Sequence, residues 1–261
     1  MLVDIGLNLS SNRYDRDRAD VLQRGITAGV GRFILTGTNL EESAEVARLA
    51  QLHAPHCLAT AGVHPHDARH LDAAGVEALR ALLHQPGVVA VGETGLDFNR
   101  NYSPPDAQER AFLWQLELAA DTGLPLFLHE RDASARLLDI LNATRDSWSG
   151  GVVHCFTGSR EALYAYLDLG LLIGVTGWVC DERRGQELQS LVRKIPADRL
   201  LLETDGPYLL PRDLPSPPKD RRNEPAFLPH IAAVVARLRG ESLQQVADAT
   251  TANARRLFRL D

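Results

Sequence analysis

Eight short apolar runs recur along this 261-residue chain, and an amphipathic stretch of helical length follows nearly every one of them. Runs of this kind are typical of strands that a parallel sheet buries on both faces. Regular alternation of strand and helix predicts an α/β fold, a (β/α)8 TIM barrel, for which about 250 residues is the usual length. An open, doubly wound sheet is the alternative. The predicted strands lie near residues 2–7, 31–36, 57–62, 88–92, 125–128, 151–154, 171–175 and 199–202.

The predicted helices exceed the eightfold repeat by one, because two of them follow the last strand. We therefore expect a barrel with an extra C-terminal helix, in which residues 1–261 form a single domain. The predicted helices lie near residues 15–29, 40–53, 73–84, 105–122, 132–142, 159–169, 183–193, 225–239 and 242–258.

Composition narrows the class of protein. With 44% hydrophobic and 24% charged residues, the chain has the composition of a soluble globular protein. We find no signal peptide and no apolar run near the roughly 20 residues of a membrane helix. The three cysteines lack CxxC spacing, which favours reduced thiols and a cytoplasmic location. The net charge of −6 argues against a broad nucleic-acid-binding surface, although a local basic rim or bound divalent ions can offset phosphate charge.

Four of the apolar runs end in a residue of a type that binds metal ions. Glu93, His129, His154 and Asp205 close the runs GVVAVGE, PLFLH, GVVH and RLLLETD. The carboxyl ends of barrel strands meet at one face, where TIM-barrel enzymes carry their active sites. Imidazole and carboxylate groups together suit divalent ions. The shared position predicts one metal site, although each residue taken alone could equally cap the core or a helix.

Glu93 and Asp205 are also the candidate catalytic residues. A carboxylate beside glycines can approach and bridge metal ions, and an aspartate beside a metal-bound water can act as ligand, general base or both. Glu203 shares a strand face with Asp205 and is a candidate for a supporting contact. Asp97 is predicted to orient its loop rather than to bind a metal.

Basic and imidazole side chains just after strand ends are candidates for holding substrate. His64 and His66 follow the third strand, where they can hydrogen-bond a phosphate or a metal-bound group. The proline-rich connection 205–225 is either a wall of the site or a surface excursion. Arginine suits phosphate oxygens, with solvated surface charge as the alternative. The arginines in such positions are Arg100, Arg131, Arg183 and Arg222.

Several motifs in this order resemble the bacterial TatD-type deoxyribonucleases, over essentially the whole chain. They are AGVHPH, VGETGLDF, HCFTG, GWVCDERRG, LLETDGPY and RRNEP. The resemblance implies a metal-dependent hydrolase of the amidohydrolase-like superfamily with a TIM-barrel fold. It also implies 3′-to-5′ exonuclease activity on single-stranded DNA, with RNA as a further substrate and DNA repair as a setting. Mg²⁺ is the implied working ion, with Zn²⁺ or Mn²⁺ as alternatives.

The same resemblance assigns roles to individual residues. It makes Asp205 a catalytic or metal-binding aspartate and His64 an active-site histidine, and it makes metal ligands of Glu93, His129 and His154. One departure concerns the first strand, where Gly6 and Asn8 stand in place of the H-x-H pair of the wider superfamily. We therefore expect one metal position to be weak.

Two other functions remain open from the sequence. The scaffold can carry a hydrolase of a small-molecule amide or ester, since fold does not determine substrate. It can also bind nucleic acid without turnover, although the complete set of candidate ligands argues against that. We expect a monomer that acts on single-stranded DNA or RNA without membrane association, and the sequence gives no information about a protein partner.

Overall fold

Eight strands follow one another in a single sheet whose order is the order of the chain. The computed structural model describes residues 1–260. A doubly wound sheet would reverse its order at a switch point, so this order excludes that alternative and confirms the (β/α)8 class. The strands are β1 (Leu2–Leu7), β2 (Val30–Leu35), β3 (Cys57–Ala61), β4 (Val88–Asp97), β5 (Leu126–Arg131), β6 (Gly151–Val153), β7 (Leu172–Val175) and β8 (Leu200–Leu202).

Helices alternate with the strands, and the predicted extra helix is present as the last of them. No helix within residues 1–260 combines the length and the apolar character that a membrane crossing requires. The helices are α1 (Arg18–Thr27), α2 (Leu40–Leu52), α3 (Ala73–Leu83), α4 (Pro105–Thr122), α5 (Ser134–Ala143), α6 (Arg160–Asp168), α7 (Gln186–Leu191), α8 (Leu228–Arg239) and α9 (Leu243–Phe258).

Local sequence accounts for where several helices begin. The Asn39 side chain accepts a hydrogen bond from the backbone N–H of Glu42, at 2.9 Å, and so caps α2. Pro105 opens α4, where the missing N–H of proline costs nothing. Helix α9 begins with a capping box in which Ser242 and Gln245 each bond the other's backbone N–H.

The chain packs as two compact units. One holds residues 35–154 and 160–172, and so contains β3 to β6 and α2 to α6. The other holds residues 1–34, 155–159 and the described chain from Ile173 onward, and so contains β1, β8, α1 and α7 to α9. That residues 1–261 act as one domain stays a prediction.

The apolar runs of the sequence form the buried strands of the two units. Every residue of β1, β6, β7 and β8 is buried, as expected for strands covered on both faces. The polar exception in β1 is Asp4, whose carboxylate accepts hydrogen bonds from the Thr204 backbone N–H at 2.8 Å and from its hydroxyl at 2.5 Å. Burial raises the pKa of Asp4 to about 7.

Strand β4 is longer than the sequence predicts, because a β-bulge carries it past residue 92. Val91 pairs with Leu126 and Thr94 with Leu128, so three steps along β4 face two along β5. The extra residue falls at Gly92–Glu93, and Gly92 has a φ of 145°, a conformation that side chains with a Cβ rarely adopt. Glu93 therefore lies inside a strand, in the segment where the bulge changes the direction of the side chains.

Candidate metal centre

Three histidines converge on one carboxylate oxygen in the unit that contains β3 to β6. Oε1 of Glu93 lies 2.8 Å from Nδ1 of His129 and 3.5 Å from Nε2 of His64. Nε2 of His154 lies 3.8 Å from the same oxygen. The two nearer imidazoles also face each other, with His64 Nε2 and His129 Nδ1 3.1 Å apart. The structure thus places His64 beside Glu93, His129 and His154, which are three of the four metal ligands predicted from the sequence.

Backbone hydrogen bonds hold three of these residues within or just after their strands. The N–H of Glu93 donates to Gly37 O at 2.7 Å, and that of His64 donates to Thr38 O at 2.8 Å. The N–H of His154 donates to Leu128 O at 2.8 Å, which extends the pairing of β5 with β6 by one residue. Glu93 and His64 are thus tied to the segment that follows β2, and His154 is tied to β5.

The electrostatics of the cluster keep the Glu93 carboxylate ionised. Burial alone would raise the pKa of Glu93, but the adjacent His64, His154 and His129 hold it well below its ordinary value. Burial, together with the charge of His129, lowers the pKa of His64 to about 3, so that its imidazole is neutral. Burial opposes charge on His129 as well, yet the adjacent carboxylates of Asp97 and Glu93 raise its pKa to about 9.

These groups fit a divalent metal ion. One donor atom each of His64, Glu93 and His129 lies within 4.8 Å of the other two. A buried anionic oxygen beside neutral imidazole nitrogen is the donor set that transition-metal sites use.

Asp97 orients the two histidines and the loop that follows β4. Its Oδ2 lies 2.8 Å from Nε2 of His66 and 3.4 Å from Nε2 of His129. Its Oδ1 accepts the backbone N–H of Asn99 at 3.1 Å and that of Arg100 at 2.8 Å. This is the orienting role predicted for Asp97, and it is the kind of contact that fixes an imidazole ring beside a metal.

Tyr102 is a candidate substrate contact that the sequence analysis missed. Its side chain is 51% exposed, and its ring centroid lies 4.7 Å from that of His66. The guanidinium of Arg100 lies 5.9 Å from the Tyr102 ring centroid and donates to its hydroxyl at 3.2 Å. His66 in turn lies 4.2 Å from His64, centroid to centroid. A row of rings therefore leads from the cluster to the surface, and no periodicity in the sequence marks its outer member.

Asp205 lies in the other compact unit, directly after β8. Its backbone is left-handed, with a φ of 53°, a conformation that aspartate adopts more readily than most residues. Asn8 donates its side-chain N–H to Oδ1 of Asp205 at 2.9 Å, and the Asp205 backbone N–H donates to Gly6 O at 2.8 Å. The two residues that replace the superfamily's histidine pair thus position Asp205.

Glu203, two residues before Asp205, is fully buried. Its Oε1 accepts the backbone N–H of Cys155 at 2.6 Å. The contact stabilises the turn at Cys155, whose φ is 46°. Glu203 is therefore a structural support within its own unit.

The connection between β8 and α8 is fastened to the N-terminal part of the chain. The hydroxyl of Tyr14 donates to Asn223 O at 2.5 Å, and the Asn223 side chain donates to Thr204 O at 2.8 Å. Arg222 donates to both carboxylate oxygens of Asp17, at 2.8 and 2.7 Å. Its guanidinium also lies 5.0 Å from the Tyr14 ring centroid. Arg222 thus has structural contacts, whereas Arg100, Arg131 and Arg183 are exposed.

The chain matches known proteins along nearly its whole length. The family model described as TatD related DNase matches residues 3–259. A Rahnella sp. (strain Y9602) protein named 3′-5′ ssDNA/RNA exonuclease TatD is 55% identical over 259 residues, 99% of this chain and 98% of its own. A protein of Escherichia coli (strain K12) with the same name is 52% identical over 257 residues, 98% of each chain.

Solved structures show the same fold. The crystal structure of YjjV, a TatD homologue from Escherichia coli K12, superposes with a TM-score of 0.89 at 30% identity, covering 100% of this chain and 98% of that one. A hydrolase described as a TatD family protein from Entamoeba histolytica gives a TM-score of 0.89 at 27% identity, covering 98% and 97% of the two chains.

Proposed function

Because the chain belongs to the family of TatD-related DNases, we propose that it is a metal-dependent 3′-to-5′ exonuclease of single-stranded DNA and RNA. The observation that carries the proposal is the convergence of three histidines on the buried, ionised carboxylate of Glu93. The names of relatives that are 52% to 55% identical along nearly the whole chain support the direction of cleavage and the substrate.

In this proposal, Glu93, His129 and His154 hold the ion, and His64 joins them as a fourth ligand or as a contact to a bound group. When bound by these residues, a divalent ion would supply Lewis-acid chemistry, polarising a phosphoryl oxygen and lowering the pKa of a water molecule. Mg²⁺ is the working ion that the family resemblance implies, whereas three imidazoles add affinity for Mn²⁺ or Zn²⁺.

Asp205 accepts the proton of the attacking water and orients that water in line with the leaving oxygen. The hydrogen bond from Asn8 fixes its carboxylate for this task. The leaving group is the 3′ oxygen of the penultimate sugar, so each cycle releases one 5′-mononucleotide from the 3′ end. Asp205 also remains a proposed metal ligand, as the sequence predicts.

The exposed arginines and Tyr102 are proposed to hold the strand. Arg100, Arg131 and Arg183 supply phosphate contacts, and His66 lies at 29% side-chain exposure beside Tyr102. The Tyr102 ring offers a face on which a base can stack, a contact that tolerates any base. Arg222 was predicted as a phosphate contact too, and its bonds to Asp17 make it the weakest member of that proposed set.

We further propose that the protein acts in the cytoplasm as a monomer, in DNA repair. No disulfide joins the three cysteines within the described chain, which agrees with a reducing compartment. These three expectations otherwise rest on the sequence.

Removal of metal tests the proposal. After treatment with EDTA, the protein should no longer shorten 5′-labelled single strands, and added Mg²⁺ or Mn²⁺ should restore a ladder that shrinks from the 3′ end. Denaturing gels of the products measure this, with a 3′-blocked strand as the control. Degradation that resists EDTA would contradict the metal mechanism, and activity on model esters alone would favour the small-molecule hydrolase.

The proposed strand contacts have their own test. Arg100→Ala, Arg131→Ala and Arg183→Ala should weaken binding about equally for strands of different base composition, since phosphate contacts read no sequence. Each true contact should also make the salt dependence of log K shallower by a slope of roughly 0.7. Titration of fluorescent single strands at several salt concentrations measures both. Tyr102→Ala should instead weaken binding with little change of slope, and Tyr102→Phe should bind like the parent.

If the three arginine variants match the parent in affinity, rate and salt slope, these arginines are surface charges. Arg222→Ala is the contrasting case, because its loss removes the pair with Asp17. We expect that variant to lower the melting temperature, which the other three should leave unchanged.

A further inference from the structure

A second cluster of metal-binding residue types lies in the unit that contains β8. Cys180 ends the short 3-10 turn after β7, Asp213 lies in the connection after β8, and His230 lies in the first turn of α8. One donor atom of each lies within 4.8 Å of the other two. None of the three has a part in the chemistry proposed above.

The three side chains differ in their exposure to solvent. Cys180 is only 3% exposed, whereas the side chain of Asp213 is 37% exposed and that of His230 is 26% exposed. Oδ1 of Asp213 lies 2.7 Å from Nε2 of His230. The thiol is therefore buried, whereas the carboxylate and the imidazole are accessible to solvent, from which an ion and a water ligand can approach.

The chemistry of the trio does not suit a nucleophilic cysteine. Burial and the nearby Asp213 carboxylate raise the pKa of Cys180 well above its ordinary value, although Arg237 acts in the opposite direction. In a nucleophilic triad, Asp213 would contact only His230, and His230 would activate the thiol. Here Asp213 contacts both His230 and Cys180. A group of this kind becomes a thiolate when a metal ion displaces its proton.

We propose that Cys180, Asp213 and His230 form a second metal site, for a thiophilic divalent ion such as zinc. Sulfur, nitrogen and oxygen donors with one open position match the tetrahedral sites of zinc. Zinc lies about 2.3 Å from sulfur and about 2.0–2.2 Å from nitrogen or oxygen, which separates neighbouring donors by roughly 3.3–3.7 Å. The Asp213–His230 hydrogen bond must open by less than about 1 Å, a side-chain adjustment at an exposed position.

The ion would join two segments that already touch through their backbones. A Cβ at Gly177, in the turn that Cys180 ends, would overlap the carbonyl oxygen of Leu209 in the connection. Arg183 follows the same turn by three residues. Binding would therefore fix the turn that precedes Arg183 against the connection that leads away from Asp205, and so stabilise the fold without taking part in hydrolysis.

Cadmium tests the proposal directly, because Cd²⁺ bound to a thiolate gives an ultraviolet charge-transfer band that imidazole and carboxylate ligands do not. The full chain is stripped of metal and titrated with Cd²⁺ in a Cys155→Ser background, since Cys155 follows the candidate ligand His154. We expect a band whose final amplitude corresponds to one thiolate-bound Cd²⁺ per chain, whether or not the centre at Glu93 takes up a further ion. Cys180→Ser should abolish the band, and Cys57→Ser, at a buried thiol elsewhere, should keep it.

Two further measurements guard against misfolding of the cysteine variant. Asp213→Asn and His230→Gln keep the thiol and should weaken Cd²⁺ binding at least tenfold. Zinc should raise the melting temperature of the parent by more than that of Cys180→Ser, in which only the centre at Glu93 remains to bind the native state. Absence of the band, its survival in Cys180→Ser, or unchanged affinity in both other variants would overturn the proposal. Cys180→Ser should retain Mg²⁺-dependent nuclease activity, so this test and that of the proposed function fail separately.

Discussion

Replacing Glu93 by glutamine should lower the rate of single-strand degradation by at least about a hundredfold to a thousandfold, the range seen when one preorganised electrostatic group is lost. Glutamine has the same shape but no charge, and its amide N–H groups cannot bind a cation. The variant removes the negative charge of the carboxylate on which His64, His129 and His154 converge. Single-turnover degradation of 5′-labelled oligonucleotides under excess Mg²⁺ measures the effect.

A matched control for this variant is Glu109→Gln, which removes a surface pair with Arg136. Exposed pairs of this kind contribute about 0–1 kcal/mol, so the control should degrade single strands at the parental rate. Calorimetric titration with Mn²⁺ should show weaker binding for Glu93→Gln alone. A Glu93→Gln rate within about threefold of the parent would remove the basis of the proposed metal centre.

Replacing Gly95 by alanine should destabilise the protein by more than about 3 kcal/mol, in the upper range for a single substitution. Gly95 pairs with His129 across β4 and β5, and its φ is 143°. A Cβ at this position would overlap the carbonyl oxygen of His129, so the two strands would have to separate where they carry the cluster. Urea unfolding followed by circular dichroism measures the free energy of unfolding.

Gly123→Ala separates steric overlap from backbone strain in this experiment. Gly123 ends α4 with a φ of 65°, and a Cβ there would meet nothing within 4 Å. The cost at Gly123 should therefore be only that of the left-handed conformation, about 1–2 kcal/mol. Equal losses in the two variants would show that strand contact at Gly95 is not what matters. Residual Gly95→Ala protein should also bind Mn²⁺ more weakly, because His129 moves with β5.

The periodicity of the chain was enough to predict the fold, since each apolar run corresponds to one of the eight strands. The limits appear where tertiary contact overrides local pattern. Strand β4 was predicted to end at 92, because Glu93 and Thr94 interrupt its apolar run; the bulge that continues it depends on the fit of Gly92 against β5. Helix α1 begins at Arg18 rather than near 15, because residues 12–14 form a separate 3-10 turn.

The candidate site likewise combines residues that the local sequence pattern predicts with contacts that only the tertiary fold produces. Glu93, His129 and His154 were predicted as metal ligands from their positions at the ends of apolar runs. The structure brings these three residues together with His64. The contact of His66 with Tyr102 depends on how the loops after β3 and β4 fold back, and no spacing in the sequence encodes it. Arg222 has the position expected of a phosphate contact, yet its partner Asp17 lies 205 residues away along the chain. Pairs as distant as this are fixed by topology and are invisible to local pattern.

The bonds that join residues 8–17 to residues 205–223 also decide when this part of the molecule can form during synthesis. Asp17 and Arg222 are 205 residues apart, and ribosomes add roughly 5–20 residues per second. The N-terminal segment therefore leaves the ribosome about 10–40 s before Arg222, Asn223 and the carboxylate of Asp205 exist. During that interval Asn8, Tyr14 and Asp17 lack their native partners, and β1 lacks β8. Residues 1–17 are thus accessible to chaperones and proteases at least until residues 205–223 have been synthesised.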